Sequence, residues 1–242
     1  MFGLGKKRRT VTVEKAGTLH LQITDKDKFS ISELTISGEL NGADLFLLRE
    51  MAGYTMGGAK SKGHLVRLDL KNARFVPGGG KYARTNEGGC EIDKENVIPK
   101  RAFRKCAKLK VVIVPDNTIE IEEHAFERCI SLASVTLNES LEIIGERAFR
   151  KCGELKSITL HANIKEIAKE AFSENYKISR MSVATSTPPT IYVNTFYGVI
   201  NRELKLTVPA GCSQVYKKNP SWRKFINVTE DSGDMNTTQQ TD

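Results

Sequence analysis

A solenoid of stacked coils is the fold this sequence predicts, and two observations predict it. The first is a period: Ala-Phe pairs recur every 23 residues, at Ala102-Phe103, Ala125-Phe126, Ala148-Phe149 and Ala171-Phe172. A fixed period of that length marks one supersecondary unit stacked on copies of itself. The second is a set of apolar columns in the same phase. Ile98, Ile121, Ile144 and Ile167 stand four residues before each pair. Cys106, Cys129, Cys152 and Asn175 stand three after each Phe, followed by Leu109, Leu132, Leu155 and Ile178. Val112, Val135, Ile158 and Met181 come next, and Val114, Leu137, Leu160 and Val183 close the unit.

The segments follow in order along the chain. Met1 to Leu4 and the run Lys6-Lys7-Arg8-Arg9 resemble the start of a secretory signal. Polar Thr10, Thr12, Glu14 and Lys15 then stand where an apolar stretch should be. No secretory signal is therefore visible, and residues 1–15 are expected as a basic flexible tail. Residues 16–64 read as an N-terminal α/β cap. Ile31, Leu34 and Ile36 alternate as a strand, Asn41-Gly42 marks a turn, and Asp44–Met51 reads as a helix stopped at Gly53. Residues 65–97 read as a degenerate first repeat, with Leu65, Leu68 and Leu70 in strand spacing. Its stretch from Pro77 to Gly89 carries Gly78-Gly79-Gly80 and Gly88-Gly89 and is expected as the most mobile loop of the folded body.

Residues 98–185 hold the regular repeats. Residues 186–229 read as a variant repeat and closing segment, with Phe196 in the Phe role and Leu204, Leu206 and Val208 as its strand. Tyr216, Trp222 and Phe225 are expected as a lid on the last coil, because a terminal unit meets solvent on one face. Residues 230–242, rich in Thr, Gln, Asn and Asp, have nothing to bury and are expected to be disordered.

Within each unit the Leu-x-x-Val-x-Leu segment predicts an inward-facing strand, so the stacked strands form a parallel sheet along one side. The Ala-Phe segment, preceded by polar residues, predicts a short helical or 3₁₀ turn on the opposite side. Ala permits close approach and Phe fills the core, so Phe103, Phe126, Phe149 and Phe172 are the expected anchors, each contributing about 2–3 kcal/mol by burial.

Composition excludes more than it specifies. At 39% hydrophobic and 27% charged residues the chain is ordinary for a folded protein. No stretch reaches the roughly 18 apolar residues of a membrane helix. The net charge is +8, of which four charges sit in the N-terminal run, and the remainder is too mild to imply a nucleic-acid partner. Cys106, Cys129 and Cys152 share one column with Asn175, which reads as a size preference for small packed side chains and not as disulfides or a metal site. No Cys-x-x-Cys pair occurs, and His20, His64, His124 and His161 have no metal-ligand spacing. His124 and His161 are expected on solvent-facing turns. Gly53–Ser61 imitates a phosphate-binding loop, but Ala59 occupies the place of the Lys and a strand follows instead of a helix. No cofactor or catalytic group is expected.

The pattern Cys-x-x-Leu-x-x-Val-x-Leu with Ile-x-x-x-Ala-Phe, from Ile98 to Val183, resembles the 23-residue leucine-rich repeat of BspA-like surface proteins. Val208-Pro209-Ala210-Gly211 with Tyr216, Trp222, Phe225 and Val228 is similar to that family's closing segment, and Gly17 to Gly53 to its N-terminal cap. The resemblance implies a solenoid with a strand-lined face, cell-surface or secreted placement in host-associated bacteria, and binding of a protein or extracellular-matrix ligand.

Two surfaces are candidates for that ligand. Outward positions of the strands give Ser134, Thr136, Ser157, Thr159, Arg180 and Ser182 as a ligand face. Lys105, Arg128 and Lys151, joined by Arg104 and Arg150, form a basic ladder interrupted by Glu127 and ended by Glu174. The expected function is a monomeric, non-enzymatic recognition module. Its alternatives are a glycan-binding adhesin working through the basic ladder, and a cytoplasmic scaffold where no signal peptide directs export. An enzyme built on the Gly-rich insertion has least support, because that segment supplies no convergent acid, base and nucleophile.

Overall fold

The structure is a computed structural model that describes residues 7–86 and 88–231. The chain opens with β1 (Lys7–Val13), α1 (Leu19–Gln22), β2 (Ile31–Leu40), α2 (Gly42–Met51) and β3 (Arg67–Phe75). A hairpin of β4 (Gly78–Thr85) and β5 (Gly88–Ile92) follows. The repeats then run through β6 (Val97–Ile98), β7 (Val111–Ile113), β8 (Glu120–Ile121), β9 (Ser134–Thr136), β10 (Ile143–Ile144) and β11 (Ser157–Leu160). They continue with β12 (Glu166–Ile167), β13 (Arg180–Val183), β14 (Thr190–Ile191) and β15 (Lys205–Val208), and the chain closes with α3 (Ser213–Lys218) and β16 (Asn227–Glu230).

The period of the sequence becomes the register of the sheets. Val112 lies opposite Val135 and Ile158 opposite Met181, each one repeat apart. One side of the solenoid is lined by parallel strands in the order β1-β2-β3-β7-β9 and then β11-β13-β15-β16. A second parallel ladder, β6-β8-β10-β12-β14, stacks Ile98, Ile121, Ile144, Ile167 and Ile191. Between the two runs the core, where Phe103, Phe126, Phe149, Phe172 and Phe196 stack with ring centroids 5.1–5.5 Å apart. Trp222 and Phe225 meet the last ring edge-on, and Trp222 Nε1 donates to Pro189 O at 2.8 Å. The aromatic stack therefore ends against rings that turn across it, and its last face is covered.

The Ala-Phe segments carry the expected 3₁₀-type bonds, such as Ala102 N to Pro99 O at 3.0 Å and Cys106 N to Phe103 O at 2.9 Å, but they do not run on into helices. They are chains of tight turns in which every second N–H donates to the next coil: Phe103 to Ala125 O at 2.7 Å, Phe126 to Ala148 O at 2.7 Å and Phe149 to Ala171 O at 2.8 Å. A helical turn would spend those donors within its own coil, so the stacking ladder wins. Its backbone alternation places two columns at positive φ, Arg101, His124, Arg147 and Glu170 with Lys105, Arg128, Lys151 and Glu174. Such φ values are uncommon for residues with a Cβ. The inter-coil hydrogen bonds hold them there.

Three expectations are corrected. Residues 7–13 are not part of a flexible tail: Val11 and Val13 are buried, and β1 pairs in parallel with β2 along its length. Lys7 and Arg8 are paired with Asp27 and Glu33, so the basic run does not repel the strand from the body. The glycine-rich stretch is not an unstructured loop but the antiparallel β4–β5 hairpin, with Tyr82 fully buried and donating to Lys100 O at 2.6 Å. Its glycines serve close approach. A Cβ at Gly79 would stand 2.2 Å from Asn41 Oδ1, and one at Gly42 would stand 2.1 Å from Gly80 O. Glu230, assigned to the disordered tail, belongs to β16 and accepts from Gly211 N and Ser213 N at 2.8 and 2.9 Å. The rest of the expected tail, 232–242, lies outside the described residues, as do residues 1–6.

Candidate ligand face

Two outward columns run along the strand-lined side because successive side chains of a strand point to opposite faces. The pairings align Ser157 with Arg180 and Thr159 with Ser182, and they align Val111 with Ser134 and Ile113 with Thr136. At the N-terminal end the same columns are charged, with Arg8 paired to Glu33 and Arg67 near Asp69. At the other end they carry Arg180 and Lys205. The middle is neutral and mostly hydroxyl-bearing.

That neutral middle coincides with an interruption. β9 and β11 belong to different sheets, while every other neighbouring pair on this side shares a ladder. Val135 is only partly buried, whereas its column neighbours Val112 and Ile158 are buried, so β9 sits off the line of the stack. A groove of about 670 Å³ opens over the break. Ser134 and Thr136 of β9 and Ser157 and Thr159 of β11 line it, together with the apolar Ile113 of β7 and Val135 of β9. Arg180 and Ser182 lie on β13, the next strand along, and do not reach the groove.

Residue-by-residue reading of the sequence missed the ends of this groove. Lys71, Asp116, Glu139 and His161 line it, drawn from turns whose spacing carries no periodic signal. Asn138 braces one end by donating to Asp116 O at 2.9 Å and Thr118 O at 2.8 Å. His161 lies partly buried with Nε2 3.1 Å from Leu137 O, which holds the ring at the rim.

The basic ladder is arranged differently. Lys105, Arg128 and Lys151 occupy one of the positive-φ columns, so their side chains project from the turn side. Arg104 Nε pairs with Glu127 at 2.5 Å, Arg150 with Glu174 at 2.5 Å and Lys151 with Glu174 at 3.1 Å. Arg128 lies 4.0 Å from Glu127, and Lys105 sits over the Tyr54 ring. Glu127 is nearly buried and central to the set. Burial alone would raise its pKa, but the His124 ring and the Arg104 guanidinium outweigh it and hold the carboxyl at about 2. His124 is therefore not on a solvent-facing turn: it is buried, 2.7 Å from Glu123 and 3.1 Å from Glu127. The turn side is a mixed-charge network more than a strip of free cations.

The cysteine column does more than fill space. Cys129 Sγ donates to Phe103 O at 3.0 Å and Cys152 Sγ to Phe126 O at 3.3 Å. Asn175 continues the series, donating to Phe149 O at 2.8 Å and Phe172 O at 3.0 Å. The column selects small donors for a carbonyl one coil back, which corrects the reading of pure size. All three thiols are free, and burial pushes their pKa values up, Cys106 to about 11. Thiolate chemistry is suppressed there. Among the described residues no group of three His, Cys, Asp or Glu side chains is placed to hold a metal ion.

With the repeat register and its strand-lined face in view, comparison with known proteins is direct. A family model described as the BspA type leucine rich repeat region, in six copies, matches residues 96–219. This chain belongs to the BspA-type leucine-rich repeat family. Solved structures similar to this BspA-type chain include a leucine rich repeat protein of T. pallidum, 24% identical over 45% of this chain and 60% of that one, with a TM-score of 0.34. The pneumococcal vaccine antigen PcpA is 13% identical over 86% and 61%, with a TM-score of 0.41. A leucine-rich repeat protein from Bacteroides ovatus is 17% identical over 92% and 65%, also with a TM-score of 0.41. The chain thus spans 60–65% of the length of these solved chains. No curated protein matches it.

Proposed function

We propose that the chain is a non-enzymatic recognition module whose strand-lined face holds a neutral, polar segment of a protein or matrix ligand, at the cell surface or in secreted form. The observation that carries this reading is the groove over the β9–β11 break, where Ser134, Thr136, Ser157 and Thr159 converge on about 670 Å³ of open space. Ligands settle in concave clefts where a few polar groups fix their orientation, and a cleft as polar as this one suits a polar ligand. Small hydroxyl side chains offer adaptable hydrogen bonds but little buried area, so the affinity expected is modest. Membership of the BspA-type repeat family supports a binding role. The extracellular setting rests on the resemblance to its surface proteins. Among the described residues no helix is long and apolar enough to cross a membrane. The basic ladder is the weaker candidate, because Glu127 and Glu174 already engage Arg104, Arg150 and Lys151.

The test uses the purified chain on arrays of matrix proteins and of glycans, beside two variants. Thr136→Arg with Ser157→Arg fills the groove from exposed positions and should remove array binding while leaving the melting temperature unchanged. Lys105→Ser, Arg128→Ser and Lys151→Ser together should leave it intact. Binding lost only in the second variant, with loss of heparin retention, would move the site to the ladder. Protease shaving of intact cells tests the location separately.

A further inference from the structure

A second feature lies where α2 meets the first regular turn, away from the strand face. Four arginines, Arg49, Arg84, Arg101 and Arg104, line one cavity of about 70 Å³ together with Tyr54, Met56, Gly57, Gly58 and Ala83. Among the described residues no acidic side chain lines it. Arg49 is 2% exposed, and its Nη1 donates to Arg101 O and Ala102 O, both at 2.7 Å. Those bonds pin the guanidinium in place and leave Nε, buried, with no partner among the described residues. Arg101 Nε is likewise buried and unpartnered. Among the described residues, Arg104 alone of the four has an ion-paired carboxylate, Glu127. Glu123, an acid that Arg101 acts on, is engaged by Lys100 and by His124, each at 2.7 Å.

We propose that this cavity is a site for a small tetrahedral oxyanion, a phosphate or sulfate group. Arg49 is a buried cation with no carboxylate beside it among the described residues, which is costly, and an anion set against it and its three less buried neighbours removes that cost. Arginine forks are the side chains best shaped for the oxygens of phosphate and sulfate. Size agrees, since one water needs about 10–15 Å³ of such space and 70 Å³ suits a single oxyanion but not a nucleotide. The remaining wall is the exposed Gly57-Gly58 turn, which the bonds from Gly58 N to Thr55 O and Thr55 N to Ala59 O hold in shape. A Cβ at Gly57 would meet nothing within 4 Å, so the mouth is open there. The glycine-rich stretch that fails as a phosphate-binding loop by its own pattern therefore borders a basic site built from distant arginines. The open mouth admits either a free ion or a phosphate or sulfate borne on a larger molecule. This site is independent of the groove on the strand face.

The experiment titrates the full chain with sodium phosphate, sodium sulfate, phosphoserine and glucosamine 6-sulfate, against sodium chloride at matched ionic strength. The readouts are the melting temperature and, for phosphate, ³¹P line width. At least one oxyanion should stabilise the fold along a one-site saturation curve that chloride does not give. A tighter response to the free ions or to the two monoesters identifies the source. Arg84→Gln removes an exposed charge with no side-chain partner among the described residues, so it should weaken the response by about tenfold or more, as expected for one charge-assisted hydrogen bond. Its melting temperature without oxyanion should be unchanged. Adding Arg101→Gln should abolish the response. A flat titration with all four probes overturns the proposal, as does a response that survives the double variant.

Discussion

Glu127 is 4% exposed at its side chain and lies among Arg104, His124 and Arg150. Its pKa is held near 2 against an ordinary value of 4.5. The sign follows directly: a carboxyl depressed in the folded state contributes stability that is fully present above about pH 4.5 and lost as pH falls toward 2. A drop of that size corresponds to about 3 kcal/mol at most. Glu127→Gln should therefore be less stable than the parent chain near neutrality, and the gap should close as the medium is acidified toward the folded pKa. Urea unfolding midpoints measured across that range check it, and parallel curves for the two proteins would refute the role given to Glu127. Little of this was legible in the sequence. A column of Arg, Lys and His beside a lone Glu reads as a solvated edge, and nothing in it shows that the turn draws Glu127 inward. The positive-φ columns were equally silent, because Arg, Lys, His and Glu occupy positions usually marked by Gly or Asn. Only Gly198, at φ 87 in the last coil, carries the usual mark.

The repeating turn is the element on which the stack depends. Phe149 lies in the middle of five rings, 5.1 Å from Phe126 and 5.2 Å from Phe172, nearly parallel to both. Its own N–H bonds to Ala171 O, so the ring fills space between coils that the backbone ladder already fixes at one distance. The coils cannot collapse to close a hole. Phe149→Ala should accordingly fall in the range of about 3–5 kcal/mol, while Phe149→Leu, which leaves a smaller hole, should cost less. Thermal melts of both variants decide the matter, and an unchanged alanine variant would mean that the ring column does not carry the core. The Ala-Phe period was legible because burial fixes residue type at every copy. The β4–β5 hairpin was not, because glycines that mark mobile loops elsewhere here allow backbone contact with α2. β1 is hidden by its charges: Thr10, Val11, Thr12 and Val13 alternate as a strand, but the basic run before them carries the mark of a solvated tail.

At the scale of the whole molecule three ladders tie the coils together, and among the described residues only one of them is interrupted. Between the coils of β9 and β11 the turn ladder continues, with Phe126 N bonded to Ala148 O at 2.7 Å and Arg128 N to Arg150 O at 2.8 Å. The short-strand ladder also continues, with Ile121 paired to Ile144 and Ile144 to Ile167. The strand-lined ladder stops at β9 and resumes at β11. Among the described residues the strand-lined side is therefore unjoined at one place, and the groove spans it. Outward residues face solvent whether or not the strands behind them are joined, so neither the period nor the composition of the columns could reveal the gap. The break makes a local prediction about stability, because amide protection follows the backbone hydrogen bonds that survive. Amides of Ser157 and Thr159 should exchange about tenfold faster than those of Ser182 and Thr207, the difference of roughly one net hydrogen bond. Hydrogen exchange resolved at single amides measures this without any ligand. Equal protection from β7 through β15 would mean a continuous ladder and no intrinsic groove. A bound array ligand that slows Ser157 and Thr159 while leaving Ser182 and Thr207 unchanged would place its contacts over the break.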